Sequence, residues 1–162
     1  MATTHCLFPI LPLLGPMELC SAMTPDGEAL TRVHFLDDTP SLCPASPSAL
    51  LLEAERQLRA YLARRLTCFD LPLAPSGTPF QQAVWQALCR VPYGQTLSYG
   101  RLAALAGHPG AARATGAACG RNPIAIIIPC HRIVGAQGKL TGYNGGLERK
   151  KSLLALEQAA MN

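Results

Sequence analysis

The chain has no Cys-x-x-Cys pair, no long apolar run and, in its second half, almost no acidic charge. Its seven cysteines (Cys6, Cys20, Cys43, Cys68, Cys89, Cys119 and Cys130) are odd in number and scattered. That pattern suits neither a disulfide framework nor a zinc ribbon and fits a reducing compartment. No two N-terminal cysteines or histidines have ligand-like spacing, which argues against a zinc site there without deciding it. Apolar runs such as Leu7 to Leu14 and Ile124 to Ile128 fall short of the roughly 20 residues a membrane helix needs, so no membrane partner is expected. The N-terminus carries no basic region ahead of its apolar stretch, and Pro9, Pro12 and Pro16 interrupt it, which argues against a signal peptide. The expected location is the cytoplasm, or the nucleus in a eukaryotic host.

What is present points to a compact protein, with 49% hydrophobic and only 15% charged residues. A length of 162 residues allows one domain or two small ones, and two are expected, 1–76 and 77–162. The first holds five Lys/Arg against eight Asp/Glu, the second nine against two. The positive field therefore belongs to the second half and suggests a polyanion partner, although a solubilising basic face has the same count.

Met17 to Thr24 and Ala29 to Leu36 flank Pro25-Asp26-Gly27-Glu28, which predicts a hairpin. After the Pro/Ser-rich stretch from Thr39 to Ser48, Leu51, Ala54, Leu58, Tyr61 and Leu62 fall at helical spacing, so one helix should cover a small antiparallel sheet. Leu71 to Gly77, with two prolines and a glycine, reads as a linker. Beyond it, Thr78-Pro79-Phe80-Gln81 has the form of a capping box and predicts a helix from Pro79 to about Cys89. Ser98 can cap a second helix that Gly107 ends, and a third is expected from Pro109 to Gly120. Helix, short glycine-containing turn and helix make a helix-turn-helix pattern. Small residues fill the third helix, leaving Arg113 as its one long charged side chain before Arg121. Ile124 to Ile128 reads as a buried strand, the glycines between Gly135 and Gly146 as a loop or wing, and Glu148 to Glu157 as a final helix.

Cys130 draws notice by its neighbours, His131 and Arg132. A thiol becomes a nucleophile when a base or a positive charge favours its thiolate. Adjacent residues on a strand point to opposite faces, so Cys130 and His131 can cooperate only if Pro129 bends the chain. By this reading alone a reactive thiol and a small buried hydrophobe are equally good accounts of Cys130.

Gly77 to Glu157 resembles the catalytic domain of the O6-alkylguanine-DNA alkyltransferases. The resemblance rests on Gly77-Thr78-Pro79-Phe80-Gln81, Val91-Pro92-Tyr93-Gly94-Gln95-Thr96, Ser98-Tyr99, Ala111-Ala112-Arg113-Ala114, Asn122-Pro123, Pro129-Cys130-His131-Arg132 and Gly142-Tyr143-Asn144-Gly145-Gly146. It implies an α/β fold with a ribonuclease H-like first domain, a small antiparallel sheet plus helix, and a winged helix-turn-helix-like catalytic domain. It also implies irreversible, single-turnover transfer of an alkyl group from O6 of guanine, and more weakly from O4 of thymine, in duplex DNA to Cys130. His131 would act through a water as base, with Glu157 orienting it and Tyr99 passing a proton toward N3 of the departing guanine. Arg113 would fill the stack vacated by a flipped base. Ser98, Ala112, Ala114, Thr115 and Arg121 would meet the DNA around it, in the minor groove. Asn122 would support the bend before the strand. Tyr143, Asn144 and Gly145 would line the base pocket, and the carbonyls of Cys130 and Ile133 would accept from the guanine amino group. Cys119 would lie near this pocket, as a packing residue or as a thiol that reacts without DNA. Asn144 is bulkier than serine or alanine and would narrow the pocket against large alkyl groups. No cofactor is implied, and the partner would be double-stranded DNA carrying O6-alkylguanine, bound by a monomer or cooperatively. A lesion sensor without chemistry and a cysteine hydrolase built on Cys130 and His131 are the rival readings.

Overall fold

The computed structural model describes residues 4–38 and 46–159. Its internal contacts divide into two compact units, Met1–Pro75 and Ser76–Asn162. Cys43 and most of the Pro/Ser-rich stretch lie outside the described residues.

The first unit is a four-stranded antiparallel sheet with one helix. Strands β1 (Thr4–Leu7), β2 (Ile10–Leu11) and β4 (Gly27–Phe35) all pair with the long β3 (Gly15–Thr24). The β3–β4 register runs from Met17 opposite Phe35 to Thr24 opposite Gly27, interrupted by a bulge between Cys20 and Ser21. The predicted hairpin closes at Pro25-Asp26, where Thr24 Oγ1 accepts from Asp26 N at 3.2 Å and Gly27 takes φ +115°. Helix α1 (Ala49–Leu62) begins at Ser48, whose hydroxyl accepts from Leu51 N at 3.3 Å. Leu51, Ala54, Leu58 and Tyr61 are fully buried, as are Met17, Leu19, Leu30 and Val33 of the sheet. The periodicity of the sequence thus marks both sides of this core. The stretch expected as a plain linker does more than connect, because Leu30 pairs with Leu73 through Leu30 N to Pro72 O and Ala74 N to Leu30 O, both 2.8 Å.

The second unit opens with α2 (Pro79–Leu88) and its complete capping box. Thr78 Oγ1 accepts from Gln81 N at 3.3 Å, and Gln81 Oε1 accepts from Thr78 N at 2.9 Å. After β5 (Leu97–Ser98), helix α3 (Tyr99–Leu105) is capped by Ser98, and the chain turns at Gly107 with φ +83°. Helix α4 spans Ala112–Gly120, three residues later than the sequence predicts. Gly110 has φ +86°, a conformation no α-helix accommodates, so Pro109 and Gly110 belong to the turn. Trp85 of α2 donates to Ala118 O at 3.0 Å and fixes the packing of α2 on α4.

The largest departure concerns Ile124 to Ile128, expected as a strand and found as a tight turn. Ile126 has φ +70°, costly for a β-branched residue and held by its surroundings. Ile128 N bonds to Ile124 O at 3.0 Å, and the Asn122 side chain accepts from Ile124 N at 3.0 Å and donates to Ile128 O at 2.8 Å. One amide side chain replaces a partner strand, and a run of buried isoleucines looks the same in either case. Cys130–Arg132 then forms a 3-10 turn, followed by β6 (Ile133–Val134), which pairs in parallel with β5. Helix α5 (Leu147–Ala159) ends the described chain. No helix among the described residues is long and apolar enough to cross a membrane.

Candidate active site

Cys130 lies just beyond the Ile124–Ile128 turn, 7% exposed, with Cys130 N bonded to Ile128 O at 2.8 Å. Asn122, at the start of that turn, also donates from Nδ2 to Cys130 Sγ at 3.2 Å. One asparagine therefore both shapes the turn and touches the sulfur. Burial pushes the thiol's pKa up, while the Asn122 bond and the charge of Lys150 oppose that rise. The resting sulfur is a protonated thiol, poised beside groups that favour its thiolate.

The next residue points the same chemistry inward. His131 is fully buried, and its Nε2 lies 2.8 Å from Glu157 Oε1 on α5. An ionised carboxylate only accepts, so Nε2 carries the hydrogen and Nδ1 the lone pair. Burial holds the imidazole's pKa down, opposed by the Glu157 bond. A neutral histidine with a carboxylate behind it is in the protonation state a general base requires. The 3-10 turn, rather than an extended strand, is what lets Cys130 and His131 both face the interior.

Of the other residues expected in the pocket, Tyr99, Cys119 and Tyr143 lie close enough to Cys130 to interact with it electrostatically. The Tyr99 hydroxyl is 3.0 Å from Thr141 Oγ1, and burial pushes the phenol's pKa up. Burial also raises the Tyr143 phenol well above its ordinary range. Gly145 is buried and Asn144 exposed. Cys119, on the buried side of α4, has its thiol pushed up to about 12 by burial and by the neighbouring Cys130, so packing suits it better than reactivity. The Cys130 carbonyl accepts from Ile133 N, and the Ile133 carbonyl from Lys150 Nζ at 2.6 Å.

On α4, Arg113 and Ala114 are exposed, as is Arg121 just after it, and Ala112 is half-buried. Ser98 is half-buried, its hydroxyl accepting from Arg101 N at 3.3 Å. Thr115 departs from expectation. It is fully buried, with no hydrogen-bond partner for Oγ1, so its side chain cannot reach a phosphate. The helical period explains this, since Thr115 stands three and four residues before Ala118 and Cys119, on the inward face of α4.

Sequence reasoning noted Arg132 without finding its partner, and missed Lys150 altogether. Arg132 donates to both oxygens of Glu157, and Lys150 is a fully buried lysine whose Nζ also reaches Thr141 O at 3.1 Å. The spacing of Lys150, Leu153 and Glu157 along one helical face was the available signal for Lys150. In the first unit, strand pairing brings Cys6, Glu18 and Cys20 together, with ligand atoms all within 4.8 Å of one another. Glu18 is already met by Arg32 at 3.4 Å and His34 at 3.2 Å. The sequence spacing of these residues gave no hint of that cluster.

A buried thiol, a neutral histidine backed by a carboxylate, and a helix pair presenting exposed arginines, Arg101 and Arg113, define a thiol enzyme with a surface suited to nucleic acid. Residues 79–159 match the family described as 6-O-methylguanine DNA methyltransferase, DNA binding domain. The chain is 50% identical over 149 residues to the methylated-DNA–protein-cysteine methyltransferase of Mycobacterium tuberculosis, covering 90% of this chain and 88% of that one. It is 59% identical over 148 residues to the Methanosarcina acetivorans protein of the same name, covering 89% and 92%. The crystal structure of the M. tuberculosis O6-methylguanine methyltransferase superposes with a TM-score of 0.84 at 47% identity, covering 98% and 94%. That of M. tuberculosis OGT in complex with DNA gives 0.81 at 47% identity, covering 97% and 93%. The chain belongs to the methylated-DNA–protein-cysteine methyltransferase family.

Proposed function

We propose that this protein repairs duplex DNA by moving an alkyl group from O6 of guanine, and more slowly from O4 of thymine, onto Cys130. The observation that carries this reading is the buried Cys130 thiol, bonded to Asn122 and followed by a neutral His131 that Glu157 holds at 2.8 Å. The Cys130 proton passes through a water to His131, and the sulfur attacks the alkyl carbon as its bond to O6 breaks. The electron pair enters the purine, and Tyr99 supplies a proton at N3, so guanine leaves neutral. Burial raises the Tyr99 pKa and so keeps the phenol protonated until guanine departs, and the proton that His131 took from Cys130 returns through solvent to the phenolate, so the step balances. The product is a thioether with no inexpensive route back to thiol, so each molecule acts once.

A stacked base hides its O6, so the substrate must be flipped out at a cost of a few kcal/mol. The exposed Arg113 on α4 fills the gap, and Ala112 and Ala114 beside it permit close approach to the minor groove. Ser98 and Arg121 contact the backbone, giving affinity that tolerates sequence. The flipped guanine sits between Tyr143 and the Asn144-Gly145 stretch. Its amino group donates to the carbonyls of Cys130 and Ile133, each of which keeps a second lone pair. The first unit fits a ribonuclease H-like sheet and the second a winged helix-turn-helix. The protein acts as a monomer or cooperatively along DNA, in the cytoplasm or a nucleus.

Incubation with duplex carrying a labelled methyl on O6 of guanine tests the reading. One label per protein, recovered on the Cys130 peptide, is the expected result. Continuous turnover would point to a hydrolase, and tight binding with no transfer to a lesion sensor; either outcome overturns the proposal.

A further inference from the structure

Glu157 receives more donors than the orientation of one histidine requires. His131 Nε2 reaches Oε1 at 2.8 Å and Gly94 N reaches Oε2 at 3.0 Å. Arg132 adds Nε, 3.0 Å from Oε2 and 3.2 Å from Oε1, and Nη2, 2.9 Å from Oε1. The arginine is itself anchored, with Nη1 donating to Val91 O at 2.6 Å and its guanidinium carbon 5.7 Å from the centroid of the Tyr93 ring. Glu157 is fully buried and Arg132 is 6% exposed, so solvent and salt screen their attraction little.

A carboxylate whose only ionic partner is an imidazole draws a proton onto that ring. Here a guanidinium already balances the carboxylate. The charged groups that act on His131 are Glu157 and Lys150 from α5 and Arg132 from its own turn, with Tyr93, from the segment between α2 and β5, on Arg132. A proton on His131 would therefore add a third positive charge, beside Arg132 and Lys150, around one buried anion. We propose that Arg132 is a positioning residue for the transfer: by gripping Glu157 in a two-pronged contact and supplying its counter-charge, it keeps His131 neutral and able to receive the Cys130 proton. The proposal rests on the reading of His131 as the base. In agreement with it, the charges of Arg132 and Lys150 both act to lower the His131 pKa, alongside its burial. A fork geometry matters because a lysine offers one point of charge rather than two parallel donors.

The test follows the His131 ring by NMR during a pH titration of the unreacted protein and, separately, the rate of methyl transfer against pH. In Arg132→Gln, the titration of His131 and the acid limb of the rate profile should both move toward neutral pH. The rate at about pH 5.5, relative to that at about pH 8, should then fall several-fold below the wild-type ratio. Arg132→Lys should fall between the two. If only Arg132→Lys folds, the same intermediate shift is expected of it, and its absence overturns the proposal. An unmoved His131 titration in a folded variant, or a rate lowered by one factor at every pH, overturns it as well. A moved titration with an unmoved rate profile supports the hold of Arg132 on the pair and strikes instead at the role of His131 as base.

Discussion

Helices α4 and α5 of the second unit treat charge in opposite ways. On α4 the one long charged side chain, Arg113, is exposed among alanines and glycines, and the inward face holds only Thr115, Ala118 and Cys119. On α5 the inward face carries Lys150 and Glu157, both fully buried, while Glu148 and Lys151 pair at the surface at 2.8 Å. An exposed cation needs no protein partner and is free to meet a polyanion. A buried charge must find partners, and those of α5 come from distant sequence: Gly94, His131 and Arg132 for Glu157, and the carbonyls of Ile133 and Thr141 for Lys150. On the proposed reading, α4 turns its charge outward toward DNA, whereas α5 holds the groups proposed to react from behind.

The sharpest way to separate the two roles is to remove the sulfur both are proposed to serve. Cys130→Ala should abolish transfer completely yet retain lesion binding in a gel-shift assay, and a loss of both would dissolve the division. Breaking α5 comes next. Glu157→Ala strands a buried guanidinium, and chemical denaturation should report a loss of about 3–5 kcal/mol, as for other broken buried ion pairs. A loss below about 1 kcal/mol would mean that the carboxylate is not the anchor described above.

On α4, Arg113→Ala should slow transfer from duplex by about tenfold or more, because part of a flipping cost of a few kcal/mol goes uncompensated. Transfer from the free modified base should be almost unchanged. Equal slowing of both substrates would remove Arg113 from the flipping step.

A smaller effect concerns pH. His131 is neutral in the fold and its pKa is held down, so below the unfolded value of about 6.5 the unfolded chain binds the extra proton. Stability should therefore be full above that pH and fall as the pH drops through it toward the folded value. The melting temperature of His131→Gln should depend less on pH across that window, and an equal dependence would contradict the burial of a neutral ring. The smallest effect belongs to Thr115→Val, which removes a buried hydroxyl without a partner. It should leave DNA affinity unchanged and stability equal or higher by less than about 1 kcal/mol. A drop in affinity would restore Thr115 to the DNA-facing surface.

Local rules made much of this legible. The hairpin at Pro25-Asp26, the Leu51–Tyr61 core stripe, the Thr78 capping box and the Ser98 cap depend on residues within a few positions of one another, and each lies where those residues predict. The start of α4 and the turn at Ile124–Ile128 were misread for a common reason. Apolar and small residues report that a segment is buried or tightly packed, but its path was decided by Gly110 and by the bonds of the Asn122 side chain.

By itself the sequence determined the hairpin, the order of the five helices, the basic character of the second half and, through the motif around Cys130, the family. Tertiary structure alone decided that Cys130 and His131 share an interior, that Thr115 is buried on the inward face of α4, and that Arg132 and His131 divide one carboxylate from α5. The physical reason is that desolvation and charge pairing act between groups brought together by packing, and a buried ion's partners are set by space rather than by distance along the chain.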